Sequence, residues 1–242
     1  MKAIKRCMKK PNRSRNGSFD REGKKDMKTC YIFGAAPTPE VSWIHVAPDE
    51  EDAVICADGG YQLARRAGIK PDWLVGDFDS NRETVDFDQV IRVKPEKDDT
   101  DIYLAVSHGR KLGYTRFVIY GALGGRFDHS IANVQMLKGM IKEGIQITLL
   151  DAQNEVTAIM DTSIEIPKSD FRYFSLFSLT EVCEGVTIKG GAYPLTDYTL
   201  TSDFPLGVSN EVAEEKAAVS VKKGILLVIR SKDAHPNEKN SI

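Results

Sequence analysis

The chain reads as an α/β N-terminal domain with a mostly parallel sheet, followed by a small antiparallel β-sandwich domain or a barrel of similar size. Three observations predict this. From Thr29 to about Leu150, short apolar runs alternate with stretches of helical periodicity. After Asp151 the helical period disappears, and short β-rich runs separated by turn residues take over. In the first half, four segments rich in acid and glycine each follow an apolar run: Cys56–Ala57–Asp58–Gly59–Gly60, Val75–Gly76–Asp77–Phe78–Asp79–Ser80, Lys97–Asp98–Asp99–Thr100–Asp101 and Gly121–Ala122–Leu123–Gly124–Gly125–Arg126–Phe127–Asp128–His129.

The elements follow in order. Residues 1–28 hold eleven Lys or Arg against three Asp or Glu, a net +8 in a chain of total charge −2, which leaves −10 on the rest. From Lys9 to Lys28 almost nothing is apolar, so burial cannot offset the entropy of ordering. This stretch is expected to be a disordered basic leader; a transit peptide, a nucleic-acid arm or a second start at Met27 are the other readings. Strands are expected at Cys30–Phe33, Ala53–Cys56, Trp73–Val75, Val90–Val93, Arg116–Tyr120 and Gln146–Leu150. A short helix occupies residues 60–67, closed by Gly68. Thr100 caps a second, with Ile102, Ala105, Val106 and Leu112 at helical spacing and Gly113 as its stop. Asp128 or Ser130 opens a third, with Ile131, Val134, Leu137 and Ile141 as its stripe and Gly144 as its end. These elements define an α/β domain over 29–150.

The second domain spans 151–231. Its strands are Glu155–Met160, Ser163–Ile166, Tyr173–Leu179, Val182–Ile188, Lys216–Val221 and Ile225–Ile229, with turns at Gly190–Gly191, Pro194, Pro205, Gly207 and Lys223–Gly224. A polar tail, 232–242, follows. A small sandwich leaves edges that need cover, which favours a second subunit.

Charge and cysteine usage bound the partners. The acidic remainder excludes a broad basic surface for nucleic acid, and no apolar run reaches membrane-spanning length. The four cysteines form no C-x-x-C pair and the histidines have no ligand spacing, so neither a zinc site nor a disulfide framework is indicated. A reducing cytoplasm is the expected compartment.

The acidic turns carry the chemistry. In open α/β sheets, ligands bind beyond the carboxyl ends of the strands, where Asp58, Asp77, Asp79, Asp98, Asp101 and Asp128 all fall. Any one such Asp also serves as a cap or turn residue; the set suits the Mg²⁺ salt of a polyphosphate. Asp77 and Asp79, two residues apart, converge on one face of an extended segment or in a tight turn. Arg126, in a glycine-bracketed loop before a helix, can grip a phosphate with two parallel hydrogen bonds, or else hold its neighbour Asp128. No G-x-x-x-x-G-K-[ST], G-x-G-x-x-G after the first strand, or G-x-S-x-G occurs. These parts describe positioning and charge neutralisation for nucleotide phosphoryl or pyrophosphoryl transfer.

Taken jointly, Cys-Ala-Asp-Gly-Gly at 56–60, Gly-Asp-Phe-Asp-Ser at 76–80, Lys-Asp-Asp-Thr-Asp at 97–101 and Gly-Gly-Arg-Phe-Asp-His at 124–129 resemble the thiamine pyrophosphokinase family. Leu200–Thr201–Ser202 and Gly207–Val208–Ser209–Asn210–Glu211 resemble its vitamin-side motif, and order and spacing match over about residues 29–231. The resemblance implies an N-terminal half binding Mg-ATP, a C-terminal β-sandwich, and a homodimer with thiamine at the subunit junction. It further implies Asp77, Asp79 and Asp101 as metal and phosphate acids, with Arg126 among the catalytic groups. Asp58, Gly59, Ser80, Thr100 and Asp128 would complete the nucleotide side, while Ser209 and Asn210 would meet the pyrimidine. Two departures stand out. Lys97 and His129 occupy positions where many relatives carry Gln, and the C-terminal Trp of animal and fungal members has no counterpart near Lys222–Lys223. The aromatic facing the pyrimidine is therefore open, with Tyr198 and Phe204 as candidates.

The implied reaction is attack of the thiamine hydroxyl on the β-phosphorus of ATP, giving thiamine diphosphate and AMP. Two rivals remain at this level: pyrophosphotransfer to another heterocyclic alcohol such as a hydroxymethyl pterin, and a Mg-ATP-binding protein without turnover.

Overall fold

The computed structural model describes residues 28–76, 90–92 and 100–234. The basic leader, Asp77, Asp79, Ser80, Lys97, Asp98 and the end of the polar tail lie outside the described residues. The first half contains β1 (Thr29–Phe33), β2 (Ala53–Ala57), α1 (Gly60–Arg66), β3 (Trp73–Gly76), β4 (Val90–Arg92), α2 (Asp101–Lys111), β5 (Arg116–Tyr120), α3 (Phe127–Ile141) and β6 (Gln146–Leu150). The second contains β7 (Asn154–Met160), β8 (Ser163–Pro167), β9 (Tyr173–Ser178), β10 (Val182–Lys189), β11 (Leu195–Thr201), β12 (Gly207–Glu211), β13 (Lys216–Ser220) and β14 (Ile225–Ser231).

Six strands pair in parallel in the order β6-β5-β1-β2-β3-β4. The chain leaves β1 toward β2 on one side and returns to β5 on the other, so the strand order reverses between β1 and β5. At such a switch point the connecting loops diverge and leave a crevice above the sheet. Apolar residues on every position of β2 agree with a strand covered on both faces. On one face, Ala105 and Val106 of α2 and Met136, Leu137 and Met140 of α3 bury Cys30, Ile32, Ile55, Phe117, Ile119 and Leu149. On the other, Leu63 and Ala64 of α1 cover Phe33, Val54, Cys56, Leu74 and Tyr120, together with Ile44 from the long β1–β2 connection.

The sandwich is present, and one of its two sheets is not separate from the first half. β7 pairs antiparallel with β6 through Thr148↔Thr157 and Leu149↔Val156, and β14, β9 and β12 continue outward from it. Ten strands thus form one sheet. Its outer part turns Val156, Ala158, Ile225 and Leu227 toward the core that contains α3. The opposite face turns Ile159, Leu176, Leu226 and Val228 onto the four-stranded sheet β11-β10-β13-β8, where Val186, Ile188, Leu200, Ala217 and Val219 meet them.

Most expected elements lie within one or two residues of their observed bounds. The third helix is capped two residues ahead of the nearer expected cap, Asp128: it starts at Phe127, with Arg126 extended (φ −67°, ψ 121°) as its N-cap. Gly124 (φ 85°) and Gly125 (φ 64°) turn the chain so that Arg126 already feeds the first turn. Thr100 does cap α2, its Oγ1 accepting from the Tyr103 N–H at 3.3 Å. β11 and β12 are strands that periodicity does not mark.

Candidate active site

The switch point holds a cavity of about 590 Å³. Ala35, Ala36 and Pro37 after β1, Ala57 at the end of β2, Thr100, Asp101 and Ile102 at the start of α2, Gly121, Ala122, Gly124, Gly125 and Arg126 after β5, and His129 and Asn133 of α3 line it. Its floor depends on two glycines. Gly34 donates from its N–H to the Tyr120 carbonyl at 2.8 Å, and Ala36 to that of Gly121 at 3.0 Å. A Cβ on Gly121, whose φ is +65°, would meet Gly34 O at 2.4 Å, and one on Gly34 would meet Gly121 O at 2.6 Å. Only glycine on both strands lets their ends approach this closely.

Of the described acids, Asp101 lines the cavity, while Asp58 follows β2 and Asp128 stands in the first turn of α3. Asp58, held at φ 42°, donates from its N–H to Val75 O at 2.8 Å. Gly76 lies so near that an added Cβ would sit 3.0 Å from the Asp58 Cα, so the end of β3 abuts the turn after β2. Gly59 is equally close to Ala35. Thr100 and Asp101 reach the same cavity from α2, where the carboxylate stands in the first turn of the helix, a place that favours negative charge.

Arg126 adopts the second of the two arrangements open to it. Its Nε donates to Asp128 Oδ1 at 3.2 Å and its Nη2 to Oδ2 at 2.5 Å, with both side chains well exposed. This hydrogen-bonded pair holds the Asp128 carboxyl below its ordinary range and raises the guanidinium. Asp128 Oδ1 also accepts from the His129 N–H at 3.0 Å. The guanidinium therefore stands beside the cavity, pre-aimed by a carboxylate that a phosphate would have to replace.

Ser209 and Asn210 lie elsewhere, on β12 at the far edge of the large sheet. Ser209 is exposed with φ 57° and donates from its N–H to Ser175 Oγ at 3.0 Å. Asn210 is buried, and its amide binds backbone: Oδ1 accepts from Tyr193 N–H at 3.0 Å and Glu211 N–H at 2.9 Å, while Nδ2 donates to Tyr193 O at 2.7 Å. That brace holds Tyr193 at 69% exposure beside Ser209's strand. Tyr198 and Phe204 are exposed as well, but no comparable brace holds them among the described residues. Asn133 and Tyr193 are both absent from the sequence reading. A lone polar residue inside a helical stripe and a tyrosine in a glycine-proline turn carry no motif.

Among the described residues no group of three or more His, Cys, Asp or Glu could hold a metal ion, and no helix is long and apolar enough to cross a membrane. Cys30, Cys56 and Cys183 are free and buried.

Comparison with known proteins agrees with this layout. A sequence model described as "Thiamin pyrophosphokinase, catalytic domain" matches residues 45–149, and one described as "Thiamin pyrophosphokinase, vitamin B1 binding domain" matches residues 161–226. The thiamine pyrophosphokinase of Bacillus subtilis (strain 168) is 33% identical over 215 residues, covering 86% of this chain and 100% of its own. Thiamine pyrophosphokinase 1 of Arabidopsis thaliana is 26% identical over 74% of this chain and 78% of its own. The Bacillus subtilis enzyme's crystal structure superposes with a TM-score of 0.77 at 31% identity, over 86% of this chain and all of that one. With both halves matched in order and the relative spanned from end to end, this chain belongs to the thiamine pyrophosphokinase family.

Proposed function

We infer that the two substrates meet across a subunit boundary, with ATP in the switch-point cavity of one chain and thiamine on the β12 edge of its partner. The reaction itself is that of the family: the pyrophosphoryl group of ATP passes to the thiamine hydroxyl, giving thiamine diphosphate and AMP. One observation carries the shared-site reading. In the ten-stranded sheet, β12 and β5 are separated by β9, β14, β7 and β6, five interstrand steps. At ~4.8 Å per step this is about 24 Å, too far for a hydroxyl on a thiamine bound at Ser209 to touch a phosphate at Arg126 of the same chain. A second copy placing its β12 edge against this cavity removes that gap. It also covers Phe204, Leu206, Val208 and Phe127, all large apolar side chains exposed in the single chain. A homodimer with two equivalent sites follows.

The residues would divide the work as follows. Residues 29–150 bind the nucleotide and 151–231 the vitamin. Arg126 turns from Asp128 to the phosphates, where its planar fork offers two parallel hydrogen bonds, and the free N–H groups opening α3 add donors. Thr100 fixes the start of α2 and thereby Asp101. Asp101 with Asp77 and Asp79 supplies an all-oxygen donor set, which fits a hard divalent cation such as Mg²⁺; Asp58, Gly59 and Ser80 complete that edge. When bound, Mg²⁺ supplies neutralisation of charge that grows on the phosphate oxygens. The leaving AMP needs no proton from a strong acid, so Asp101 or a neighbouring carboxylate gives at most modest help in deprotonating the alcohol. On the vitamin side, Ser209 faces the pyrimidine, Asn210 braces the chain behind it, and Tyr193 offers a flat apolar surface. Free buried thiols support a reducing, cytoplasmic setting.

The test is one incubation of pure protein with ATP, Mg²⁺ and thiamine. AMP and thiamine diphosphate should appear in equal amounts and vanish when the cation is chelated. ADP with thiamine monophosphate would refute direct pyrophosphoryl transfer.

A further inference from the structure

The switch-point cavity contains one buried polar side chain with no role so far. Asn133, in the second turn of α3, is 4% exposed and lines the cavity with Gly121 and Ala122. Its Nδ2 donates to Ala122 O at 2.7 Å. That partner is a carbonyl oxygen, so only the nitrogen of the amide can face it, which fixes which way the carboxamide points. Oδ1 then accepts no hydrogen bond from any described residue, yet it is not sealed off from the cavity. An acceptor that opens onto a cavity and has no protein partner is available to any N–H or O–H that a ligand brings.

The surroundings narrow what that donor is. Gly124, Gly125 and Arg126, the groups suited to phosphate, are exposed at the rim. Asn133 lies six residues beyond the start of α3, about 9 Å along its axis. The less exposed part of the lining is largely apolar: Ala36, Ala57, Ile102 and Ala122. A charged rim and an apolar interior with a single acceptor match a triphosphate and a purine ring in that order. We propose that Asn133 is the residue that selects the base, its Oδ1 accepting a hydrogen bond from the exocyclic amine of adenine. A purine with a carbonyl at that position would set oxygen against oxygen with no proton between them. The inference rests on the nucleotide occupying this cavity.

The experiment compares ATP, ITP and purine ribonucleoside triphosphate, by calorimetric binding and by kcat/KM with thiamine and Mg²⁺. The wild-type chain should prefer ATP to either analogue by about tenfold to a hundredfold, the cost of leaving a buried acceptor unmet. Asn133→Leu and the milder Asn133→Ser should bring that ratio toward one. A purely structural defect would lower all three nucleotides alike and leave the ratio standing, which would overturn the proposal. Equal use of ATP and purine ribonucleoside triphosphate by the wild-type chain would overturn it without any substitution. With 2′-deoxy-ATP added as a fourth nucleotide, loss in the Asn133 variants of discrimination only between ATP and this 2′-deoxy form would assign Oδ1 to the ribose and overturn the base assignment. Arg126→Ala separates the two levels. If it weakens ATP binding while the ratio ignores Asn133, only this inference falls; if neither substitution alters ATP binding, the nucleotide lies elsewhere and the site reading falls with it.

Discussion

Mixing two disabled variants tests how the active site is assembled. Asp101→Asn removes a carboxylate from the cavity, and Tyr193→Ala/Ser209→Ala strips the β12 edge. All three positions are exposed, so the fold should tolerate them. Each variant alone should be nearly inactive. On the shared-site reading, the five-step separation within one sheet keeps a chain from completing a site by itself. If each site joins one chain's cavity to its partner's edge, a mixed dimer holds one intact site and one doubly damaged site. Random exchange of equal amounts makes about half the dimers mixed, so about one quarter of wild-type turnover should return. Sites contained within single chains would leave every site damaged and return nothing. The assay is thiamine diphosphate formation after subunit exchange, with exchange verified by co-purification of differently tagged chains. No recovery despite proven exchange, or a fully active monomer in sedimentation, would refute the shared-site reasoning.

Other expectations are simpler to check. Gly121→Ala should lower stability by at least about 2 kcal/mol, from the left-handed backbone and the contact with Gly34 O, measured by urea unfolding. His108 packs against Trp73 with ring centroids 4.7 Å apart and planes tilted by 60°, and burial, then Lys111, depress its imidazole pKa. The unfolded chain therefore takes up the proton first, so stability should fall as pH drops below about 6.5, and His108→Phe should flatten that slope in urea midpoints. Burial pushes the Cys30 and Cys56 thiols far up, so both should resist alkylation at pH 8 in the native protein and react once it is unfolded.

What the sequence disclosed follows from which signals are local. β5 and β6 match their expected spans residue for residue, because each is a compact apolar run between turn signals. Thr100 and the stripe behind it announce α2 for the same reason. β11 escaped because Leu195-Thr-Asp-Tyr-Thr-Leu-Thr is exposed along most of its length, and Asp197 at φ 53° breaks its alternation. β12 escaped because it is a short polar edge strand that opens on glycine. The site was legible as acids after strands, since strand ends and turn residues are local. That Asn210 braces Tyr193 across seventeen residues is not legible, nor is the hold of the Ala122 carbonyl on the Asn133 amide; both depend on contacts that only the folded backbone creates.

The ladder between β6 and β7 has a consequence for how this protein can move and evolve. A backbone seam of paired strands runs through the place where a hinge would otherwise sit, so the two halves of the chain cannot swing apart like jaws. Cutting the chain after Leu150 would leave β6 as a raw edge, ready to pair with any strand that passes. The two halves are thus bound to a shared inheritance: neither can be exchanged for a foreign counterpart unless the newcomer carries a β7 that fits the same seam.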